Sequence, residues 1–385
     1  MPHTGVRIIR FKGIDVFLHW SWFLIFGILY WAVLQFFRLN AEIAGLTAGA
    51  AALVTTCLFF LSVLLHELAH SVVANRNGVP IKRITLFVFG GMAQMESDVT
   101  TPQVELRMAI AGPACSYLIG LTFGALAVAA SRAGSDTLAT ATTMLAVVNL
   151  GMGTFNLIPG FPLDGGRVLR SALWHRTGDL AQATRMASRL GESIGGAMAT
   201  GGVILLIAGV FSESHAPMLG GAWFLLIGCF LVWAAASSYR QARIRASLEP
   251  LRVGEVMRAP QAVDGVTTLE EVAHIYLRAQ QPVAVLRKGK LAGMLEPRMI
   301  RRLAPARWPV TPVEQVARRI DVAQTASPEE SLANAFWRMN RRELALLWVI
   351  EDGRLMGMLM REDLRQLIRQ RLREASSGGP GNATP

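Results

Sequence analysis

The first 240 residues carry six apolar, almost uncharged runs, near 17–37, 46–73, 109–130, 138–158, 194–211 and 219–236. Each is long enough to cross about 30 Å of hydrocarbon. In that solvent the backbone must satisfy its own hydrogen bonds, so runs of this length predict a bundle of spanning helices. Charged residues recur every few positions only after the sixth run. The whole chain is 52% hydrophobic and 17% charged, which excludes an ordinary soluble enzyme. The pattern predicts a polytopic α-helical membrane domain over residues 1–245 and a soluble α/β domain over 250–372. A Gly-, Ser- and Pro-rich tail over 375–385 is expected to be disordered.

Lys and Arg are distributed unequally between the two sides of the predicted bundle. Arg7, Arg10, Lys12, Arg76, Lys82, Arg83, Arg107, and the arginines within 167–189 and 240–245, fall on one side. Only Arg38 and Arg132 fall on the other. Positive charge collects on cytoplasmic flanks, so a multi-pass protein of the cell membrane with both termini and the soluble domain in the cytoplasm is expected. The net charge of +11 follows from this placement and does not point to nucleic acid. Residues 1–13 read as the basic flank of a retained first anchor. Cys57, Cys115 and Cys229 lie inside apolar runs without a CxxC pair, and read as packing residues.

Within the second run stands His66-Glu67-Leu68-Ala69-His70. On a helix the two histidines lie about 40° apart and one turn apart axially, so they can share one metal ion. Glu67 lies beside them, where it suits a base that takes a proton from water. Three ionisable residues in one turn of a membrane helix are expensive and mark a functional site. His66 lies about 15 Å, and His70 about 9 Å, inside the helix end near Arg76, which places the metal within the membrane near its cytoplasmic face.

A hydrolytic zinc site has three protein ligands and one open position. The best candidate for the third ligand is Asp164, in Asn156-Leu157-Ile158-Pro159-Gly160-Phe161-Pro162-Leu163-Asp164-Gly165-Gly166, where prolines and glycines break the helix. Its alternative reading is a helix N-cap before the amphipathic stretch from Arg167. Residues 81–95 predict a short membrane-associated β-hairpin around Gly90-Gly91. His19, among aromatic anchors, and His175 are placed outside the site.

The HExxH sequence, Ala111-Gly112-Pro113 and the broken segment from Asn156 to Gly166 together resemble the site-2 protease family of intramembrane metalloproteases, over roughly residues 13–236. The resemblance implies one Zn²⁺ per chain held by His66, His70 and Asp164, with Glu67 as catalytic base. It also implies that Asn156 holds the substrate or stabilises the oxyanion, and that the hairpin at Phe89, Gly90 and Gly91 pairs with an unwound, membrane-embedded protein substrate. The free edge is expected along 84–89.

The soluble part contains one unit twice. Val253-Gly254-Glu255-Val256-Met257, a helix over 268–279 and strands over 282–286 and 291–295 are matched by Val313-Glu314-Gln315-Val316-Ala317, a helix over 331–342 and strands over 345–350 and 355–360. The pair resembles tandem cystathionine-β-synthase (CBS) domains, which implies a regulatory tail, adenine nucleotide as ligand, or a homodimer through the pair. The usual nucleotide motif has Ser or Thr followed by two residues and then an Asp. Here Met360-Arg361-Glu362-Asp363 keeps only the Asp, and Glu296-Pro297-Arg298-Met299 keeps neither. The functional expectation is a zinc endopeptidase. The alternative is a CBS-gated transporter or a metal-binding protein without proteolytic activity, but a transporter predicts paired broken helices in two related halves, and only one run is broken.

Overall fold

Six helices of the computed structural model are long and apolar enough to cross a membrane: α1 (Trp20–Asn40), α2 (Gly45–Arg76), α3 (Pro102–Arg132), α4 (Asp136–Asn156), α6 (Leu180–Val210) and α7 (Ala216–Leu248). The structure describes residues 5–40, 45–88, 90–95, 99, 101–211, 216–273 and 281–377. Between α4 and α6 lies the shorter α5 (Asp164–Thr177). The chain divides into two compact units, Met1–Arg240 and Gln241–Pro385.

Along α2 the usual arrangement of large side chains inside is inverted. The buried positions of α2 are Ala48, Ala52, Thr55, Thr56, Ser62, His66, Ser71 and Ala74, all small or polar. Large apolar residues point outward instead, as on α3, where Leu118 and Leu121 are each 65% exposed. Small interior residues let helix backbones approach closely when the surrounding solvent is as apolar as leucine. The cysteines are all free, and Cys57 and Cys229 sit on this outer surface rather than packing inward.

Helix ends follow local chemistry. Thr101 caps α3 by accepting from the Val104 N–H, with Pro102 at the first helical position. Gly178, in the left-handed region, ends α5, and Asp179 at once caps α6 through the Ala181 and Gln182 N–H groups. Helix α6 thus begins well before the apolar run over 194–211, because its first turns are amphipathic.

Four strands form a sheet in the order β1 (Gly5–Phe11), β2 (Ile14–His19), β3 (Ile81–Phe87), β4 (Gly90–Met95). The β3–β4 hairpin is the one expected from sequence, but two expectations are corrected. Residues 5–11 are a strand, not merely a basic flank: Lys12 and Gly13, both with positive φ, form a two-residue turn into β2, which runs directly into α1 at Trp20. Strand β3 also has no free edge, because β2 pairs with it in parallel and β4 in antiparallel. The edge expected along 84–89 therefore belongs to β4. Ile14, Ile84 and Leu86 are buried against Leu64 and Leu68 of α2, one just before and one within the histidine turn.

The second unit is a six-stranded sheet, β5 (Ala262–Asp264), β6 (Val283–Arg287), β7 (Lys290–Leu295), β8 (Thr325–Ala326), β9 (Leu346–Glu351) and β10 (Arg354–Met360), in the order β5-β6-β7-β10-β9-β8. The order reads the same from either end, as an internal repeat requires. Both hairpins turn on matched pairs with positive φ, Lys288-Gly289 and Asp352-Gly353. The halves also exchange backbone bonds: Arg258 pairs with Met358, and Arg318 pairs with Met294. Short end strands β5 and β8 were not expected from sequence. The helix expected over 268–279 is seen at 269–273, and its remainder lies outside the described residues. The last helix runs to Ser377, so the tail expected to be disordered from 375 begins helical; residues 378–385 lie outside the described part.

Candidate metal centre

Helix α2 presents His66 and His70 on one face, with ring centroids 4.8 Å apart. Their Nε2 atoms are 3.2 Å apart, and Asp164 Oδ2 lies 3.3 Å from His66 Nε2 and 3.1 Å from His70 Nε2. Among the described residues this is the only such cluster of three metal-binding side chains. Asp164 is the first residue of α5, with Leu163 at the N-cap, so the carboxylate faces the histidines rather than capping its own helix.

The donor set fits a zinc ion. A tetrahedral ion with bonds of about 2.0–2.1 Å separates its ligands by about 3.3 Å, close to the spacing seen here. The proton arrangement agrees. His70 Nδ1 lies 2.6 Å from the Met108 carbonyl, which can only accept, so the proton of neutral His70 sits on Nδ1. Its Nε2 lone pair therefore faces another imidazole nitrogen and a carboxylate oxygen, an arrangement that asks for a cation. Space is reserved as well: a Cβ on Gly112 of α3 would lie 2.1 Å from His70 Nε2 and 2.6 Å from His66 Nε2.

Glu67 is half-buried, and its carboxylate accepts no hydrogen bond among the described residues. Gly91 of β4 presses against it, since a Cβ there would lie 2.3 Å from Glu67 Cγ. The β4 strand and Glu67 are therefore neighbours. Gly90 opens β4 at φ +124°, and Phe89 lies outside the described residues. Asn156 is the last residue of α4, half-buried and without a side-chain hydrogen bond among the described residues. It is not part of the three-donor cluster.

Several contributors were not read from the sequence. Glu105 of α3 is 2% exposed and ion-paired to Arg170 of α5, and Ser171 donates to the Pro102 carbonyl at 2.6 Å. These contacts pin α5, and with it Asp164, to the start of α3. The Arg170 guanidinium also lies 5.0 Å from the Phe161 ring, in the broken segment. The only local signal was the charge of Glu105 close to the apolar run of α3.

In the second unit a cleft of about 530 Å³ is lined by Glu296, Arg298, Arg301, Arg318, Glu343 and Trp348, among others. The Trp348 indole N–H is buried and has no hydrogen-bond partner among the described residues. Asp363, the retained motif residue, does not line this cleft and is ion-paired to Arg258.

Two histidines on a membrane-length helix and a carboxylate at the start of the shorter α5, beside a free glutamate, form a donor set of the kind a metallopeptidase uses. The model of Peptidase family M50 matches residues 54–143 and 123–198, and the CBS domain model matches residues 310–370. Rip3 of Mycobacterium tuberculosis, whose name assigns it to the zinc metalloproteases, is 33% identical over 93% of this chain and 91% of its own. Zinc metalloprotease MJ0392 of Methanocaldococcus jannaschii is 30% identical over 76% of this chain and 78% of its own. The site-2 protease structure from M. jannaschii aligns at 28% identity and a TM-score of 0.40, covering 61% of this chain and 95% of that one. The chain belongs to peptidase family M50, the site-2 proteases, and is a multi-pass intramembrane zinc metalloprotease with a C-terminal CBS module.

Proposed function

We propose that this chain cuts membrane-embedded protein substrates at a zinc ion held by His66, His70 and Asp164, with Glu67 as general base. The observation that carries the reading is the convergence of those three donors beside an unpartnered Glu67. Bound there, zinc would polarise the scissile carbonyl and make water a stronger acid. Glu67 takes the proton from the attacking water and returns it to the leaving amine. Asn156, at the broken end of α4, offers its amide N–H to the developing oxyanion. Asp164→Ala removes one of three ligands, so zinc retention in the purified protein should fall sharply while the helices stay membrane-inserted. Full zinc and full activity in that variant would require a different third ligand.

The substrate helix must be unwound before a carbonyl can reach the centre. Addition to the outer edge of β4 would hold it extended through backbone bonds that ask little of its sequence. Alternate N–H groups along β4 face outward, so proline at Met92 or at Ala93 removes a donor from that edge in one case and from the β3 ladder in the other. At least one of the two should cut cleavage by about tenfold or more with zinc unchanged, and alanine at Met92 should do far less. Two fully active proline variants would end the strand-addition reading.

The excess of Lys and Arg on one side supports cytoplasmic termini and a cytoplasmic CBS module. A cysteine at Gly134 should then be labelled by an impermeant thiol reagent in intact cells, and one at Thr177 only after permeabilisation; the opposite pattern would invert the topology. The cleft with Arg298, Arg301, Arg318 and the unpartnered Trp348 N–H supports an anionic ligand, for which adenine nucleotide is the candidate. ATP titrated into the full-length protein should bind, and Arg318→Ala should weaken binding by about tenfold or more. Saturation without heat or fluorescence change would remove nucleotide from the account. A homodimer through the CBS pair is the remaining proposal for this unit, tested by the mass of the detergent-solubilised particle with and without residues 251–385.

A further inference from the structure

Helix α3 runs antiparallel to α2 and meets its histidine turn on one face, at Met108, Gly112 and Ser116. The Met108 carbonyl fixes His70 by backbone alone. His66 has no such carbonyl. Its Nδ1 lies 2.8 Å from the hydroxyl of Ser116, which is fully buried and makes no other hydrogen bond among the described residues. We propose that Ser116 is the positioning residue that sets the ring orientation and tautomer of His66, by accepting its Nδ1–H so that the Nε2 lone pair faces the metal position.

The inference rests on the ligand set proposed above, and the reasoning is local. A neutral imidazole carries one ring proton, and Nε2 is the atom beside His70 and Asp164 at the proposed metal position, where a ligand must offer a lone pair, so the ring proton of the metal-binding tautomer sits on Nδ1. A buried N–H without an acceptor is costly, and Ser116 supplies the acceptor. Partners of this kind around metal-bound histidines typically change metal affinity by about 10–100-fold when removed. Ser116 also stands beside Gly153 of α4: a Cβ on that glycine would lie 3.4 Å from Ser116 Cβ.

The test is zinc affinity of the full-length protein in detergent, measured by competition with a chelator of known affinity, so that no cleavage assay enters. Ser116→Ala should weaken zinc binding about 10–100-fold, and Ser116→Thr, which keeps the hydroxyl, should restore it to within a few-fold of the parent. Ser188→Ala removes another buried serine hydroxyl, one without a partner on α6, and should leave affinity unchanged. His66→Ala should lose high-affinity zinc; if it does not, the ligand set itself is wrong. If His66→Ala loses zinc while Ser116→Ala matches the parent, the positioning role is refuted. It is equally refuted if Thr is as weak as Ala, or if Ser188→Ala weakens zinc as much, because packing rather than the hydroxyl would then be responsible.

Discussion

Replacing Glu67 by Gln should lower cleavage of a membrane-embedded substrate by about 10²–10⁴-fold while zinc content stays at the parent level. The amide has the size of the carboxylate and cannot accept the proton from water at neutral pH. Glu67 lies outside the three-donor cluster and accepts no hydrogen bond among the described residues, so its loss leaves the ion's coordination intact. Gly91 packs against the Glu67 methylenes, and glutamine preserves those contacts. Initial rates in reconstituted bilayers, with zinc measured on the same samples, separate the outcomes. A variant that still cleaves at the parent rate would exclude Glu67 as the base, and one that loses zinc in step with activity would make it a ligand.

Gly112→Ala should abolish zinc binding and cleavage together, a larger effect than one methyl group usually has. In most helix interiors this substitution stabilises by about 0.5–1 kcal/mol. Here the new methyl would sit 2.1 Å from His70 Nε2 and 2.6 Å from His66 Nε2, where the metal and its ligand atoms belong. Helix α3 could yield only by moving away from α2, which would break the Met108 and Ser116 contacts to the same histidines. The expected result is less than a tenth of the parent zinc stoichiometry in a protein that still inserts and resists proteolysis. Parent zinc content in Gly112→Ala would mean that α3 is not the wall of the centre. The neighbouring Gly124, whose added Cβ would meet only ordinary contact at 3.9 Å, is the matching control and should tolerate alanine.

The parts of this account that were legible in sequence are those written within one helical turn or one break. His66, Glu67 and His70 share a turn, Asp164 follows a proline- and glycine-broken segment, and the six spans announce themselves by length. The repeat in the second unit was legible because each half restates the same hairpin and Gly-Met-Leu ending. What was not legible depends on contacts between distant segments. Ser116 touches His66 across 50 residues and Arg170 meets Glu105 across 65, and neither residue carries a motif. The N-terminal hairpin left a weak trace in Lys12-Gly13 between two apolar stretches, but its basic residues read equally well as a membrane flank. Missing it placed the free edge on β3, one strand away from its position on β4.

Zinc X-ray absorption on the purified full-length protein in lipid nanodiscs tests the central claim most directly. One zinc per chain is expected, bound by nitrogen and oxygen only, two of the scatterers showing the multiple-scattering signature of imidazole, with loss of one oxygen in Asp164→Ala. A sulfur scatterer, a single imidazole, or full proteolytic activity in protein that holds no zinc would contradict it.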